Sequence, residues 1–237
     1  MITDKQGYVV YDFGSLIFFV FLRFLAVPYA DSRITAGNER LGPLGSTTLM
    51  AALNVLPQHL LGRFARIPHD AHIENMYYGV FCRILSELCF AEQAYLVEPY
   101  YPLVQVGVPP TIDFVVTSLV DMNDRPIFFI EIKPPRQLNS PSGRITADTQ
   151  MRERFHGLRN DTPVPTLHGI SAIGRMLAFY SMDVAANDIE PAYVEEDPEY
   201  VTDTVPEGRW EVDITTEIGY QQFMAVINQV RDMVAVL

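Results

Sequence analysis

Basic residues, cysteines and long apolar runs are all scarce in this chain of 237 residues. Its 17 lysines and arginines are outnumbered by 29 acids, which gives a formal net charge of −12 and argues against a uniformly basic nucleic-acid-binding surface. The two cysteines, Cys82 and Cys89, lie seven residues apart in a helical pattern, too far apart for a disulfide bond. Buried, reduced thiols and an intracellular location, cytoplasmic or nuclear, are therefore expected.

The N-terminal apolar run covers residues 16–22, is interrupted by Arg23 and continues to residue 27. A bilayer-spanning helix needs about 20 apolar residues, so no membrane association is expected. A signal-peptide core is the alternative, but Asp4 and Asp12 do not suit its basic leader. We expect a buried or interface-forming segment, and it is the predicted contact of a homodimer.

Residues 1–48 are predicted to form an N-terminal apolar appendage and linker, and residues 49–237 a single domain with a sizeable core. Periodicity places helices at about 49–64 (broken at Pro57), 71–90, 146–159 and 216–234, and strands at about 94–105, 111–120, 126–133 and within 167–180. Thr146 is the expected cap of the third helix, and Ile218 an inward residue of the last. This order predicts an α/β fold with a mixed β-sheet, in which a central antiparallel hairpin is flanked by helices.

Charge is unevenly distributed along the chain. Residues 125–159, the basic stretch, carry seven basic and three acidic side chains, whereas residues 183–217, the acidic segment, carry twelve acids and only Arg209. Local fields steer ligands more than the total charge does, so the basic stretch is a candidate for binding anions. The acidic segment could mimic nucleic acid, cover the basic stretch or bind a basic partner.

Three charged residues lie inside the two strongest predicted strands, Asp113 in the first, and Glu131 and Lys133 in the second. Lys133 is one of only two lysines in the chain. Burying such charges is costly unless they are paired or bind a metal. Side chains two apart on a strand share a face, so Glu131 and Lys133 point the same way. We predict a turn centred on Met122, which places Asp113 opposite Glu131; a two-residue loop would instead pair Asp113 with Ile132 and turn it to the other face.

A pair of facing carboxylates suits Mg²⁺, because their mutual repulsion raises the pKa of one of them unless a cation lies between them. Mg²⁺ takes one or two carboxylates together with waters and a substrate phosphate. Lys133 could then orient a water or neutralise charge that develops on the phosphate. Two alternatives stay open: a closed, buried ion network without chemistry, and a solvated strand end, since Pro134 and Pro135 follow Lys133 directly.

The spacing of these residues resembles the motif of the PD-(D/E)XK nuclease superfamily, which has the restriction-endonuclease-like fold. Asp113 is followed after seventeen residues by Glu131-Ile132-Lys133, and the expected order of helix, strand, Asp-bearing strand, Glu-x-Lys strand and helix is present. The segments at 74–79, 128–133 and 167–171 also resemble those of fungal members. Ile112 stands where the motif has proline. The resemblance implies a nuclease that hydrolyses phosphodiester bonds with Mg²⁺, or with Mn²⁺ in its place, and DNA is the expected substrate.

The resemblance also implies a set of site residues. The expected catalytic residues are Asp113, Glu131, Lys133 and Glu74, and the expected metal ligands are Asp113, Glu131, Glu74 and Ile132. The superfamily usually has an acid on its first core helix, where Glu74 and Glu87 compete. On a helical projection Glu74 lies inside the apolar stripe and Glu87 at its margin, so Glu74 is preferred. An acid favoured by the helix dipole is the alternative interpretation of Glu74.

The basic stretch supplies the expected nucleic-acid contacts. They are Gln150, Arg136, Arg144, Arg152 and Arg154, with a solvated basic face as the alternative. Gln150 is predicted to open the helix after the Glu-x-Lys strand, where several branches of the superfamily place a glutamine near the metal or the phosphate. No row of aromatic residues favours single strands. The leading hypothesis is a metal-dependent nuclease; the others are a catalytically inactive nuclease-fold protein that binds nucleic acid or protein, and a purely structural domain.

Overall fold

A computed structural model describes residues 55–103, 111–118, 124–195, 197, 199 and 202–237, together with the backbone of residues 2–3 and 9–10. The chain divides into two units, Met1–Gly42 and Pro43–Leu237. In the first unit, strands β1 (Ile2–Thr3) and β2 (Val9–Val10) pair antiparallel. The apolar segment at residues 16–27, and with it the predicted homodimer contact, lies outside the described residues.

The second unit contains four α-helices, a π-helical turn and seven strands within its described part. The helices are α1 (Gln58–Ala65), α2 (Asn75–Arg83), α3 (Pro141–Leu158) and α4 (Glu217–Val234), and the π-helical turn Ile84–Cys89 extends α2. The strands are β3 (Tyr95–Pro102), β4 (Thr111–Ser118), β5 (Arg125–Lys133), β6 (Thr166–Ile173), β7 (Met176–Asp183), β8 (Asp188–Glu190) and β9 (Val212–Asp213). In the described ranges, no helix combines the length and the apolar character that a membrane crossing requires.

The seven strands form one sheet in the order β3-β4-β5-β6-β7-β8, and β9 pairs with β7. All neighbours are antiparallel except β5 and β6, which are parallel. A parallel pair needs a crossover connection, and α3 supplies it between β5 and β6. The predicted α/β class, a mixed sheet with a central antiparallel hairpin flanked by helices, is confirmed.

The register of the β4–β5 hairpin agrees with the predicted one at the end that carries the charges. Phe114 pairs with Ile130 and Val116 with Phe128, so the next pair along this register joins Asp113 and Glu131. A bulge between Val116 and Thr117 shifts the other half of the hairpin by one residue. The predicted turn centre at Met122 lies outside the described residues.

Both faces of β5 are covered, because consecutive side chains of a strand point to opposite faces. Phe129 packs edge-on against Phe155 of α3, with ring centroids 4.8 Å apart. Its neighbour Phe128 meets Phe90, just after the π-helical turn, at 5.9 Å. Glu131 lies two residues beyond Phe129 and therefore points toward the α3 side of the sheet. It meets Arg154 of α3 there.

Several predicted details of the helices are wrong. Helix α3 begins at Pro141 rather than near Thr146, because Ser140 caps it by accepting a 3.3 Å hydrogen bond from the Gly143 amide, and proline suits a first helical position. As a result, Gln150 lies in the middle of α3 and does not open it. Pro57 directly precedes α1, and the part of the predicted helix before residue 55 lies outside the described residues. The predicted inward residue Ile218 is 70% exposed, although α4 itself begins at its predicted place.

Candidate active site

Asp113, Glu131 and Lys133 meet at one end of the β4–β5 hairpin. Asp113 stands near the start of β4 and the other two near the end of β5, and antiparallel pairing brings these ends together. The three residues are 7%, 2% and 8% exposed, respectively. The end of β5 is also tied to the β6–β7 turn, where the Gly174 amide donates to the Lys133 carbonyl at 2.8 Å. Buried charges of both signs are thus held together by regular backbone pairing.

Both carboxylate oxygens of Asp113 accept hydrogen bonds. The Ile132 amide donates to Oδ2 at 2.6 Å, and the Tyr78 hydroxyl donates to Oδ1. The same hydroxyl lies 3.3 Å from Glu74 Oε1. Burial, and then the hydrogen bond to Asp113, raise the pKa of Tyr78, so this phenol stays a neutral donor. Sequence reasoning missed Tyr78; its signal was a position one helical turn after Glu74, on the same side of α2.

Glu131 forms an ion pair with Arg154 of α3. Arg154 Nε donates to Glu131 Oε1 at 2.5 Å, and its Nη2 donates to the Thr111 carbonyl at 3.0 Å. Arg154 therefore connects β5 with the start of β4. Its Nη1 atom is buried and has no partner among the described residues. Burial and the neighbouring Asp113 raise the pKa of Glu131 to about 7, against the opposing effects of Arg154 and Lys133.

Lys133 lies between two carboxylates. Its Nζ is 3.6 Å from Glu74 Oε2 and 3.8 Å from Glu131 Oε2, which are ion-pair distances rather than hydrogen bonds. The Glu74 side chain, placed directly before α2, is 39% exposed, so the cluster opens toward solvent on that side. Lys133 is consequently held close to both acids, on the side of the cluster that opens toward solvent.

Of the two acids that the sequence analysis weighed, the structure brings Glu74 to the cluster. Glu87 instead pairs with Arg83 at 2.6 Å, and both side chains are largely exposed. Gln150 lies four residues before Arg154 on α3, which places both side chains on one side of the helix. Its Oε1 atom is buried without a partner in the described part of the chain. The functional roles of Glu74 and Gln150 stay predictions.

Part of the basic stretch is engaged with the acidic segment. Buried Arg144 donates to Asp203 Oδ2 at 2.6 Å and to the Val205 carbonyl at 2.8 Å. Arg152 donates to the Pro191 carbonyl at 2.7 Å. Among the residues expected to contact nucleic acid, Arg136 is the exposed arginine, and no side-chain partner of it is found within the described ranges.

Asp148 of α3 is the centre of this contact. It is 2% exposed and receives hydrogen bonds from Arg152, Arg209 and Tyr180. Arg209 is the one basic residue of the acidic segment, so each of the two regions supplies a charge to the other. The local charges that sequence reasoning assigned to ligands therefore also hold the fold together.

The donor set of the cluster fits a Mg²⁺ ion that takes few ligands from the protein. Within the described residues, no group of three or more His, Cys, Asp or Glu side chains is arranged to hold a metal. Asp113 and Glu131 nevertheless bring two buried carboxylates to one end of the hairpin, and each hydrogen-bonded oxygen has a second lone pair. Mg²⁺ is usually bound in this way, through one or two carboxylates with waters and phosphate completing its shell.

Comparison with solved structures finds similarity to the type IIG restriction endonuclease BpuSI. The two chains are 12% identical, the TM-score is 0.40, and the match covers 70% of this chain and 18% of that endonuclease. The chain thus spans less than a fifth of the length of the protein it matches. No protein-family model and no curated protein matches the chain.

Proposed function

We propose that this protein is a metal-dependent nuclease that hydrolyses phosphodiester bonds in DNA. The observation that carries the proposal is the meeting of two buried carboxylates, Asp113 and Glu131, with Lys133 and Glu74 at one end of the hairpin. These residues come from β4, β5 and the start of α2, and their chemistry is that of a Mg²⁺ site beside a cation. Mn²⁺ is expected to substitute for Mg²⁺.

Asp113 and Glu131 would hold the ion through their carboxylates and Ile132 through its backbone, and Glu74 would be a further ligand. Bound in this way, Mg²⁺ would supply Lewis-acid polarisation of the phosphoryl group and of the attacking water. The Tyr78 hydroxyl and the Ile132 amide keep the Asp113 carboxylate in one orientation. Lys133 neutralises negative charge as it develops on the phosphate, and such a preplaced charge is most effective in a partly dehydrated site.

Contact with the nucleic-acid backbone is proposed first for Arg136, in the turn directly after β5, because its side chain is exposed. Arg144 and Arg152 would have to break internal hydrogen bonds to contribute. Arg154 would have to leave Glu131. Gln150 is proposed to approach the metal or the phosphate from α3.

A second candidate function is a catalytically inactive nuclease-fold protein that binds nucleic acid or a protein partner. The Arg154–Glu131 ion pair favours it, because an internal guanidinium already neutralises one of the two carboxylates. Both oxygens of Asp113 also have donors. In this candidate the cluster is a closed ion network, and the acidic segment is available to a basic partner.

Cleavage assays on plasmid and linear DNA separate these candidates. The full chain is incubated with Mg²⁺, Mn²⁺ or EDTA, beside Lys133→Ala and the control Lys5→Ala, which changes the other lysine of the chain. We expect cleavage that EDTA abolishes and that Lys133→Ala lowers by roughly a hundredfold or more, with Lys5→Ala unchanged. Binding without cleavage supports the second candidate. The absence of both binding and cleavage supports a purely structural domain.

A further inference from the structure

Strand β3 is irregular at the residue that faces Asp113. Pro99 pairs with Phe114 and Tyr101 with Ile112, so Tyr100 falls opposite Asp113, but these two residues do not form a regular pair. Tyr100 has a φ of 55°, in the left-handed region that residues other than glycine rarely adopt. Such a conformation is strained, and strained residues of this kind cluster at functional sites.

The Tyr100 ring is exposed beside the cluster. Tyr100 is 56% exposed, and its ring centroid lies 5.5 Å from that of Tyr78 at an interplanar angle of 58°. Tyr78 is the residue whose hydroxyl donates to Asp113. Within the described ranges, Tyr100 makes no hydrogen bond that would explain its position. Fold stability therefore does not account for a strained backbone that presents an aromatic face next to Asp113.

The charged groups beside Tyr100 indicate which ligand could stack on its ring. A phosphodiester held near Lys133 and the two carboxylates carries a sugar and a base on either side, and aromatic rings stack on bases of any sequence. In an intact duplex both faces of a base are covered by its neighbours. An unpaired base has a free face that can lie against Tyr100, whereas a base inside a duplex does not.

The geometry points to Tyr100, backed by Tyr78, as a stacking platform for an unpaired nucleobase beside the scissile phosphate. The substrate class is then DNA with a single-stranded or unpaired nucleotide at the cut, rather than continuous duplex. This inference rests on the proposed nuclease function, but it concerns binding and can be measured without turnover.

Three fluorescent oligonucleotides test the platform: a single strand, a blunt duplex and a duplex with one bulged nucleotide. A second set carries 2-aminopurine at the unpaired position. In the blunt duplex of that set, 2-aminopurine occupies the corresponding paired position. Binding is measured by anisotropy on full-length Lys133→Ala, so that the probes stay intact. Adding Tyr100→Leu should weaken binding of the single strand and the bulged duplex by about 5- to 150-fold, since one stacked base contributes about 1–3 kcal/mol. Stacking on Tyr100 should quench the fluorescence of 2-aminopurine. Tyr100→Trp should bind within about twofold of the parent and keep this quenching, because indole also stacks.

Tyr193→Leu is the matched control, because Tyr193 is 61% exposed and stacks on Arg152 instead. Equal binding of all three probes, or Tyr100→Leu binding like its parent, would overturn the platform. If DNA is nevertheless cut in a metal-dependent way, the nuclease proposal stands without it. Binding that prefers the unpaired probes and depends on Tyr100, with no cleavage by the wild type, supports the platform and removes the catalytic proposal. No binding of any probe overturns the platform, and the nuclease proposal falls with it only if the wild type also shows no metal-dependent cleavage.

Discussion

Replacing Arg154 with methionine leaves the Glu131 carboxylate buried without its nearest cation. Arg154 is 4% exposed and Glu131 2% exposed, and their Nε–Oε1 distance is 2.5 Å. Removing one partner of a buried ion pair costs about 3–5 kcal/mol, mostly because the remaining charge is uncompensated. For a unit of this size, each kcal/mol shifts the Tm by about 2–4 °C, so the expected loss is about 6–20 °C.

The loss should depend on pH. In the metal-free protein, burial raises the pKa of Glu131 from 4.5 to about 7, so the folded state binds this proton more tightly than the unfolded state does. The resulting stabilisation is fully present below about pH 4.5 and is lost as the pH rises through 7; at about 1.4 kcal/mol per pH unit it amounts to about 3 kcal/mol. Without Arg154 the pKa rises further, so Arg154→Met should cost more at about pH 8 than at about pH 5.5.

Thermal denaturation in EDTA, followed by circular dichroism at both pH values, measures this effect. Arg144→Met is the matched control, because Arg144 is also 4% exposed on α3, but its partner carboxylate, Asp203, is 45% exposed and can be hydrated. Adding Glu131→Gln to Arg154→Met removes the uncompensated carboxylate charge. The double variant should therefore recover part of the loss in Tm at about pH 8. The reasoning is refuted if Arg154→Met is as stable as wild type at about pH 8, or if its loss is equal at both pH values.

Two further substitutions test the supports of the cluster and of the sheet. Tyr78→Phe removes the phenolic donor to Asp113 and should lower the free energy of unfolding by about 1 kcal/mol, measured in urea; no change would show that water replaces this hydrogen bond without cost. Gly169→Ala places a Cβ 2.5 Å from the Phe129 ring in the middle of β6 and should destabilise by about 1–3 kcal/mol. Gly62→Ala is its control, because nothing lies within 4 Å of the added Cβ in α1, and a gain of about 0.5–1 kcal/mol is expected there; equal effects at the two glycines would contradict the packing argument.

Local pattern was sufficient for the strands of the hairpin and for the register at their charged end. Apolar runs with embedded charges predicted β4 and β5, and the alternation of faces placed Asp113, Glu131 and Lys133 together. Helix phase favoured Glu74 over Glu87 for the same reason. Each of these inferences depends on residues close in sequence, whose geometry follows from the period of a strand or a helix.

The partners of these charges could not be predicted in the same way. Arg154 is 23 residues from Glu131, and Tyr78 is 35 residues from Asp113, so both contacts depend on how helices pack on the sheet. The start of α3 was misplaced because Ser140 and Pro141 read as part of a loop, although together they form a cap and a first helical turn. Tyr100 is opposite Asp113 only because of the β3–β4 register.

The sequence by itself determined that the charges of β4 and β5 are buried, because burial of a charge within an apolar run is visible from the run alone. Only the tertiary structure decided which ions neutralise them. The seven basic residues of the basic stretch could not be divided by sequence into solvated and internal ones. Packing turned Arg144 and Arg154 inward and left Arg136 exposed, because a long side chain follows the nearest carboxylate or carbonyl that the fold brings within its reach.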